Sequence, residues 1–220
     1  MARGDWAGVF EAADGNRGDP RWRDEATKEI LDVVAVEGEP ELEERIEQEV
    51  ELGIPCVEEG ELEYQRCPGC GVPLAVSQQF EWNPEIALIR ERVSGKRFIL
   101  HNTNGIVAVV RVLEEELGEE IGKMIAEICR EYARGYYREI RDRTSLEEEL
   151  SKFPLRSWGR ATAPVKEGRG YRIRVVNPYS VSVIIGRLWG LLETFVGRDL
   201  VIAKREEGRG YVELLFEPAG

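Results

Sequence analysis

Residues 172–216 read RIRVVNPYSVSVIIGRLWGLLETFVGRDLVIAKREEGRGYVELLF, a strand pattern, an apolar helix and a Gly-turned pair of strands in succession. In the helix Val181, Ile184, Ile185, Leu188, Leu192 and Phe195 recur at helical spacing, and Gly197 stands where a left-handed C-cap is wanted. Gly186 and Gly190 sit four apart on it, which lets another backbone or a ligand approach closely. Before the helix, Arg160 to Lys166, the turn 167–170 and Tyr171 to Val176 form a hairpin. Tyr171, Ile173 and Val175 face one way in it, and Arg172 and Arg174 the other. After the helix, Leu200 to Arg205 and Tyr211 to Phe216 form a second hairpin. The order helix, helix, hairpin, helix, hairpin predicts an α+β fold, a four-stranded antiparallel sheet with three helices packed on one side.

The chain upstream supplies the other helices. Residues 105–117 carry Ile106, Val109, Val110, Leu113 and Leu117, and Gly118 ends that helix. Residues 119–142 carry Ile121, Ile125, Ile128, Tyr132, Tyr136 and Ile140, a stripe sustained enough to predict a long core helix. Ser145 with Glu148 is a capping box for a short acidic helix stopped by Pro154. Asn83-Pro84-Glu85 starts a brief helix reaching about Val93, and KRFILH (96–101) reads as extended. Further back, residues 1–23 read as a loose leader, and Asp24 caps a short helix carrying Ile30, Leu31, Val33 and Val34. An acidic helix follows from Glu41 to Leu52. The expected organisation is an acidic N-terminal region, 1–82, and a main domain, 83–220.

Composition sets limits. The 220 residues include 33% charged and 42% apolar residues, and no apolar run is long enough to span a bilayer. The N-terminus lacks the apolar core of a signal peptide, so cytoplasmic residence is the expectation. Net charge is −12 and uneven: residues 37–63 hold twelve Glu against one Arg, whereas 151–220 hold twelve Lys and Arg against seven acids. An acidic arm beside a basic domain is either a solvated face or a screen for that domain. The overall acidity argues against nucleic acid as a direct partner.

Of four cysteines, Cys56, Cys67 and Cys70 cluster, and Cys129 lies on the long helix. Cys67-Pro68-Gly69-Cys70-Gly71 is a knuckle sequence, flanked by residues 62–65 and 72–76 as the strands of a hairpin. It reads as half of a zinc ribbon, and Cys56 is the third candidate ligand. The fourth ligand is open between Cys129, His101, a carboxylate and a second chain. A redox dithiol, an iron–sulfur cluster and a plain turn with free thiols are the competing readings. His101, the lone histidine, reads as a hydrogen-bonded structural residue.

The span 96–216 resembles the 4-vinyl reductase domain, which is related in fold to subunits of the TRAPP vesicle-tethering complex. The matching pieces are VLEEELGEEIGKMIAEICREYARGYYREI, SWGRATAP, RIRVVNPYSV and IIGRLWGLLETFVGRDLVIAKREEGRGYVELLF. The resemblance implies a module that binds a small hydrophobic molecule, often as a homodimer. Many members carry a zinc site made by cysteines in the closing hairpin, whereas this chain has none between Val201 and Phe216. Trp158 matches the family's tryptophan near the start of the sheet, and Tyr179 and Trp189 lie on or beside the central helix. Aromatics with a polar tip suit a site holding an apolar body and one oriented hydrogen bond. A reductase acting on a vinyl-bearing tetrapyrrole and a TRAPP-like assembly subunit are the alternatives. No dinucleotide glycine motif or histidine-containing triad supports catalysis.

Overall fold

A computed structural model describes residues 18–25, 28–35, 41–52, 62–99, 101–118 and 120–220. The chain divides between Glu44 and Arg45 into two units. In the first, strands β1 (Gly18–Glu25) and β2 (Lys28–Ala35) pair antiparallel, in register from Gly18 opposite Ala35 to Glu25 opposite Lys28. The helix expected after Asp24 is therefore a strand. Ile30, Val33 and Val34 are β-branched, and such residues fit a pleated ribbon better than a short helix.

Helix α1 (Glu41–Leu52) forms where expected. Its Arg45 bonds to Glu115 and Glu116, and its Glu49 accepts from Arg111 at 3.0 Å. Arg45 and Glu49 of the acidic helix are thus matched to charges within residues 111–116.

Next comes α2 (Leu74–Gln79), on residues expected to begin the return strand of a knuckle hairpin. Strand pairing there is a single bridge between Arg66 and Pro73. Pro73 has no N–H to continue a ladder, and the chain turns into a helix instead. The brief helix expected from Asn83 to Val93 is also shorter. Strand β3 (Phe80–Asn83) leads to one 3₁₀ turn, Pro84–Ile86, capped by Asn83, and Ala87 at φ 49° then turns the chain into β4 (Leu88–Glu91). A left-handed residue ends a helix wherever it falls. Strand β5 (Arg97–Phe98) completes a three-stranded sheet.

Helices α3 (Thr103–Leu117), α4 (Glu120–Ile140) and α5 (Leu146–Ser151) follow, and α5 has the Ser145/Glu148 capping box read from the sequence. The second sheet contains β6 (Arg160–Ala161), β7 (Val165–Glu167), β8 (Gly170–Val176), β9 (Leu200–Gly208) and β10 (Tyr211–Pro218), with α6 (Val181–Val196) between β8 and β9. Its order is β6-β8-β10-β9, with β7 also pairing β8, and every pairing is antiparallel.

The sheet has five strands, not four, because the expected edge strand 160–166 is interrupted. Pro164 offers no donor, and Thr162 Oγ1 accepts the Arg174 N–H at 3.1 Å in place of a backbone carbonyl. Ile173, Val175, Val212, Leu214 and Phe216 of the sheet are fully buried under α6.

On its other side α6 lies against α4. A Cβ at Gly186 would meet the Ala126 carbonyl oxygen at 2.2 Å, and one at Gly190 would meet that of Arg130 at 2.4 Å. The two glycines admit a backbone, as their spacing suggested. This moves the seam of α4 onto small residues such as Ala126 and Ala133, both buried. The expected core stripe is divided accordingly: Tyr136 and Ile140 are buried, but Ile128 is 62% and Tyr132 58% exposed.

Candidate functional site

Trp158 owes its position to the backbone on both sides. The 3₁₀ turn Pro154–Arg156 ends at Ser157, φ 55°, and the Trp158 N–H donates to the Phe153 carbonyl at 3.0 Å. Gly159 has φ 98°, and a Cβ there would lie 2.7 Å from the Val176 carbonyl oxygen, so glycine is required as the chain enters β6. The indole packs edge-on against buried Phe153, ring centres 5.3 Å apart. Tyr179 lies in the loop between β8 and α6. That loop is fixed by Asn177, at φ 50°, whose N–H donates to the Gly210 carbonyl at 2.7 Å.

Both aromatics line one cavity of about 570 Å³. Phe80, Phe98, Ile99, Ile106 and Leu155 give it apolar walls, and His101, Arg156 and Arg187 add polar groups. Ile99 is 69% exposed, so apolar surface continues to solvent. Two other cavities, of about 350 and 220 Å³, have several charged groups in their walls, such as Arg111, Glu114 and Glu207 in one and Arg134, Arg138 and Glu193 in the other.

Trp189, the third aromatic read from the sequence as a ligand contact, lines none of these three. Its Nε1–H donates to the Leu200 carbonyl at 2.9 Å, and the Arg130 guanidinium lies 4.0 Å from its ring centre. It joins α6 to β9.

The polar wall was not legible in advance. Glu91, at the end of β4, is buried. It accepts from Ser94 Oγ at 2.6 Å, from the Tyr136 hydroxyl and from the Arg156 guanidinium. Burial, together with the bond to Glu91, raises the pKa of Tyr136 well above the usual phenol value and keeps it a donor. Arg156 and Arg187 both lie near Trp158, their guanidinium carbons 5.0 and 4.1 Å from its ring centre. Burial pushes the Tyr179 hydroxyl up, while the charge of Arg187 and a hydrogen bond from it pull the other way. One signal was available in the sequence: Arg187 and Glu193 are the two charged residues of an otherwise apolar helix. His101 is exposed, its Nδ1 2.7 Å from its neighbour's carbonyl, Asn102 O.

The Cys67–Cys70 turn is formed by local hydrogen bonds. Cys67 N–H donates to Val72 O, and Gly71 N–H to Cys67 O, each at 2.9 Å. Backbone N–H groups of Cys70 and Gly69 and the Cys70 thiol hold the Cys67 thiol below its ordinary pKa, which favours the thiolate a metal needs. Burial pushes the Cys129 thiol up. Among the described residues no three His, Cys, Asp or Glu side chains group as a metal site, and Cys56 lies outside those residues. The turn therefore contributes two donors of the required chemistry, and no third is brought to it among the described residues.

No known family profile matches the chain, and no curated protein does. Among solved structures, one that matches is described as "Modulating Heme Redox Potential Through Protein-Induced Porphyrin Distortion"; it is 12% identical, with a TM-score of 0.36 over 55% of this chain and 77% of that one. A likeness of that size establishes no family. Among the described residues no helix is long and apolar enough to cross a membrane.

Proposed function

We propose that this protein is a non-catalytic binding module for a small hydrophobic molecule, held in the cavity against Trp158 and Tyr179. The observation that carries the reading is a cavity of about 570 Å³ with mainly aromatic and aliphatic walls, into which polar groups such as Arg156 and Arg187 are set. That size and lining are typical of ligand sites, which commonly span roughly 300–1,000 Å³. The resemblance to the 4-vinyl reductase domain points the same way. Native mass spectrometry of the full chain, with solvent extraction and titration with linear alcohols followed by tryptophan fluorescence, tests it. A retained apolar molecule, or saturable alcohol binding weakened about tenfold by Trp158→Leu, is expected from the contact area lost. Absence of both overturns the reading.

The homodimer belongs to the same proposal. Met124, Ile128 and Tyr132 follow one another at four-residue steps along α4 and are 57%, 62% and 58% exposed. Such a stripe is self-complementary about a two-fold axis, which suits a second copy of this chain. Zinc at Cys67 and Cys70, with Cys56 as third ligand, is likewise proposed on the strength of the thiolate-favouring turn. Metal analysis of the purified protein, before and after chelation, decides it.

A further inference from the structure

The two charges on α6 are treated very differently by the fold. Glu193 is buried and fully matched: Arg130 donates to both its oxygens, at 3.0 and 2.7 Å, and the Leu200 N–H adds a third bond at 2.9 Å. Arg187 is half-buried in the wall of the apolar cavity, and no carboxylate pairs with it among the described residues. Its surroundings are the faces of Trp158 at 4.1 Å and Tyr132 at 5.7 Å, and the neutral Tyr179 hydroxyl.

Its Nε is enclosed and has no hydrogen-bond partner. The second cation of the wall, Arg156, is neutralised by Glu91. Among the described residues one positive charge is thus left over in a largely apolar recess. Ring faces offset only part of the cost of removing a guanidinium from water, and the remaining donors call for an acceptor. A planar guanidinium binds carboxylate and phosphate oxygens in pairs.

Resting on the proposed hydrophobic-ligand reading, we infer that the ligand is an amphiphile whose anionic head, a carboxylate or a phosphate monoester, is anchored by Arg187 while its apolar body fills the cavity. Trp158, stacked on the guanidinium, holds that group in place.

The test uses the full chain with three probes of one chain length: hexadecanoate, hexadecyl phosphate and hexadecanol, titrated by calorimetry below their aggregation concentrations. Charge-assisted bonds of this kind are worth a factor of roughly ten to a hundred, so at least one anion is expected to bind that much tighter than the alcohol. Which anion leads tells a carboxylate source from a phosphate one. Arg187→Gln should bring the anions down to the level of the alcohol and leave the alcohol unchanged, and Arg187→Lys should restore part of the difference. Equal binding of all three probes to the native protein overturns the anionic head but leaves the hydrophobic site standing. No binding of any probe overturns both. An anion preference that survives Arg187→Gln in a protein of native circular dichroism overturns the role of Arg187.

Discussion

The close seam between α4 and α6 makes a sharp prediction, because two glycines of the helix pair differ in what a methyl group would meet. At Gly186 a Cβ would fall 2.2 Å from the Ala126 carbonyl oxygen and 2.6 Å from Cys129 Cβ. Neither a backbone oxygen nor a Cβ can rotate away, so Gly186→Ala must push the helices apart by roughly 1 Å to restore ordinary contact distances. Overfilling a packed interface costs about 1–3 kcal/mol, and the upper end applies where backbone is struck. Alanine's better helix propensity returns about 1 kcal/mol, for a net loss of about 2 kcal/mol. At Gly135, on the exposed side of α4, nothing lies within 4 Å of the added carbon, and only the propensity gain of about 1 kcal/mol remains. The same substitution is expected to move stability in opposite directions fifty-one positions apart (186 less 135). Urea denaturation followed by circular dichroism reads both, and in thermal melts Gly186→Ala should lower Tm by about 4–8 °C. If Gly186→Ala came within 0.5 kcal/mol of the native protein, or if both variants shifted the same way, the seam would not be as close as described.

Glu193→Gln should destabilise by about 3 kcal/mol at neutral pH, since it leaves Arg130 and Arg134 without their shared carboxylate. Burial pushes the Glu193 carboxyl up, but Arg130, the Leu200 N–H and Arg134 outweigh it and hold the folded pKa below the ordinary value. The contribution is then complete above the unfolded value of about 4.3 and disappears as pH falls through the folded one, so melts at pH 7, 5 and 3 should converge for native and variant. A constant gap would contradict the linkage. After chelation to free the thiols, iodoacetamide at neutral pH should label Cys67 before Cys129, because one thiol is favoured as thiolate and the other is pushed up by burial; equal rates by peptide mass spectrometry would count against this. Ile128→Glu should keep the native circular dichroism spectrum and convert a dimer to a monomer in sedimentation velocity, and a native protein that is monomeric at high concentration would remove the proposed pairing.

Much of the second unit was readable because its signals are local. The period of α6, the Gly197 cap at φ 78°, the Ser145/Glu148 box and the turn between β9 and β10 all depend on residues a few positions apart. The first unit was misread because a short run of β-branched residues after an aspartate satisfies a helix start as well as a strand. The two are separated by the partner strand, which only the fold supplies. The interruption at Pro164 hid in a segment whose alternation looked continuous. Of the three aromatics, Trp158 was singled out by the resemblance and Tyr179 and Trp189 by their place on or beside the central helix; the first two line one cavity, and Trp189 lines none of the three. Nothing in the sequence links Glu91 to Arg156, sixty-five residues away, although Glu91 holds that arginine in the wall of the cavity.

The contrast within α6 joins these observations. A helix buried on its sheet side and its helix side has room for a charge only where another group can answer it. Glu193 is answered from α4 and β9, and in return it joins those two elements. Removing it should therefore weaken the fold. Arg187 is answered by rings and a hydroxyl that carry no charge, and it lines the cavity whose walls are mainly apolar. Neutralising Arg187 relieves a desolvated cation, so it should cost the fold little and cost the ligand its anchor. If Arg187→Gln instead destabilised the apo protein as much as Glu193→Gln does, the arginine would be a structural element and the cavity would lose its claim to an anionic guest.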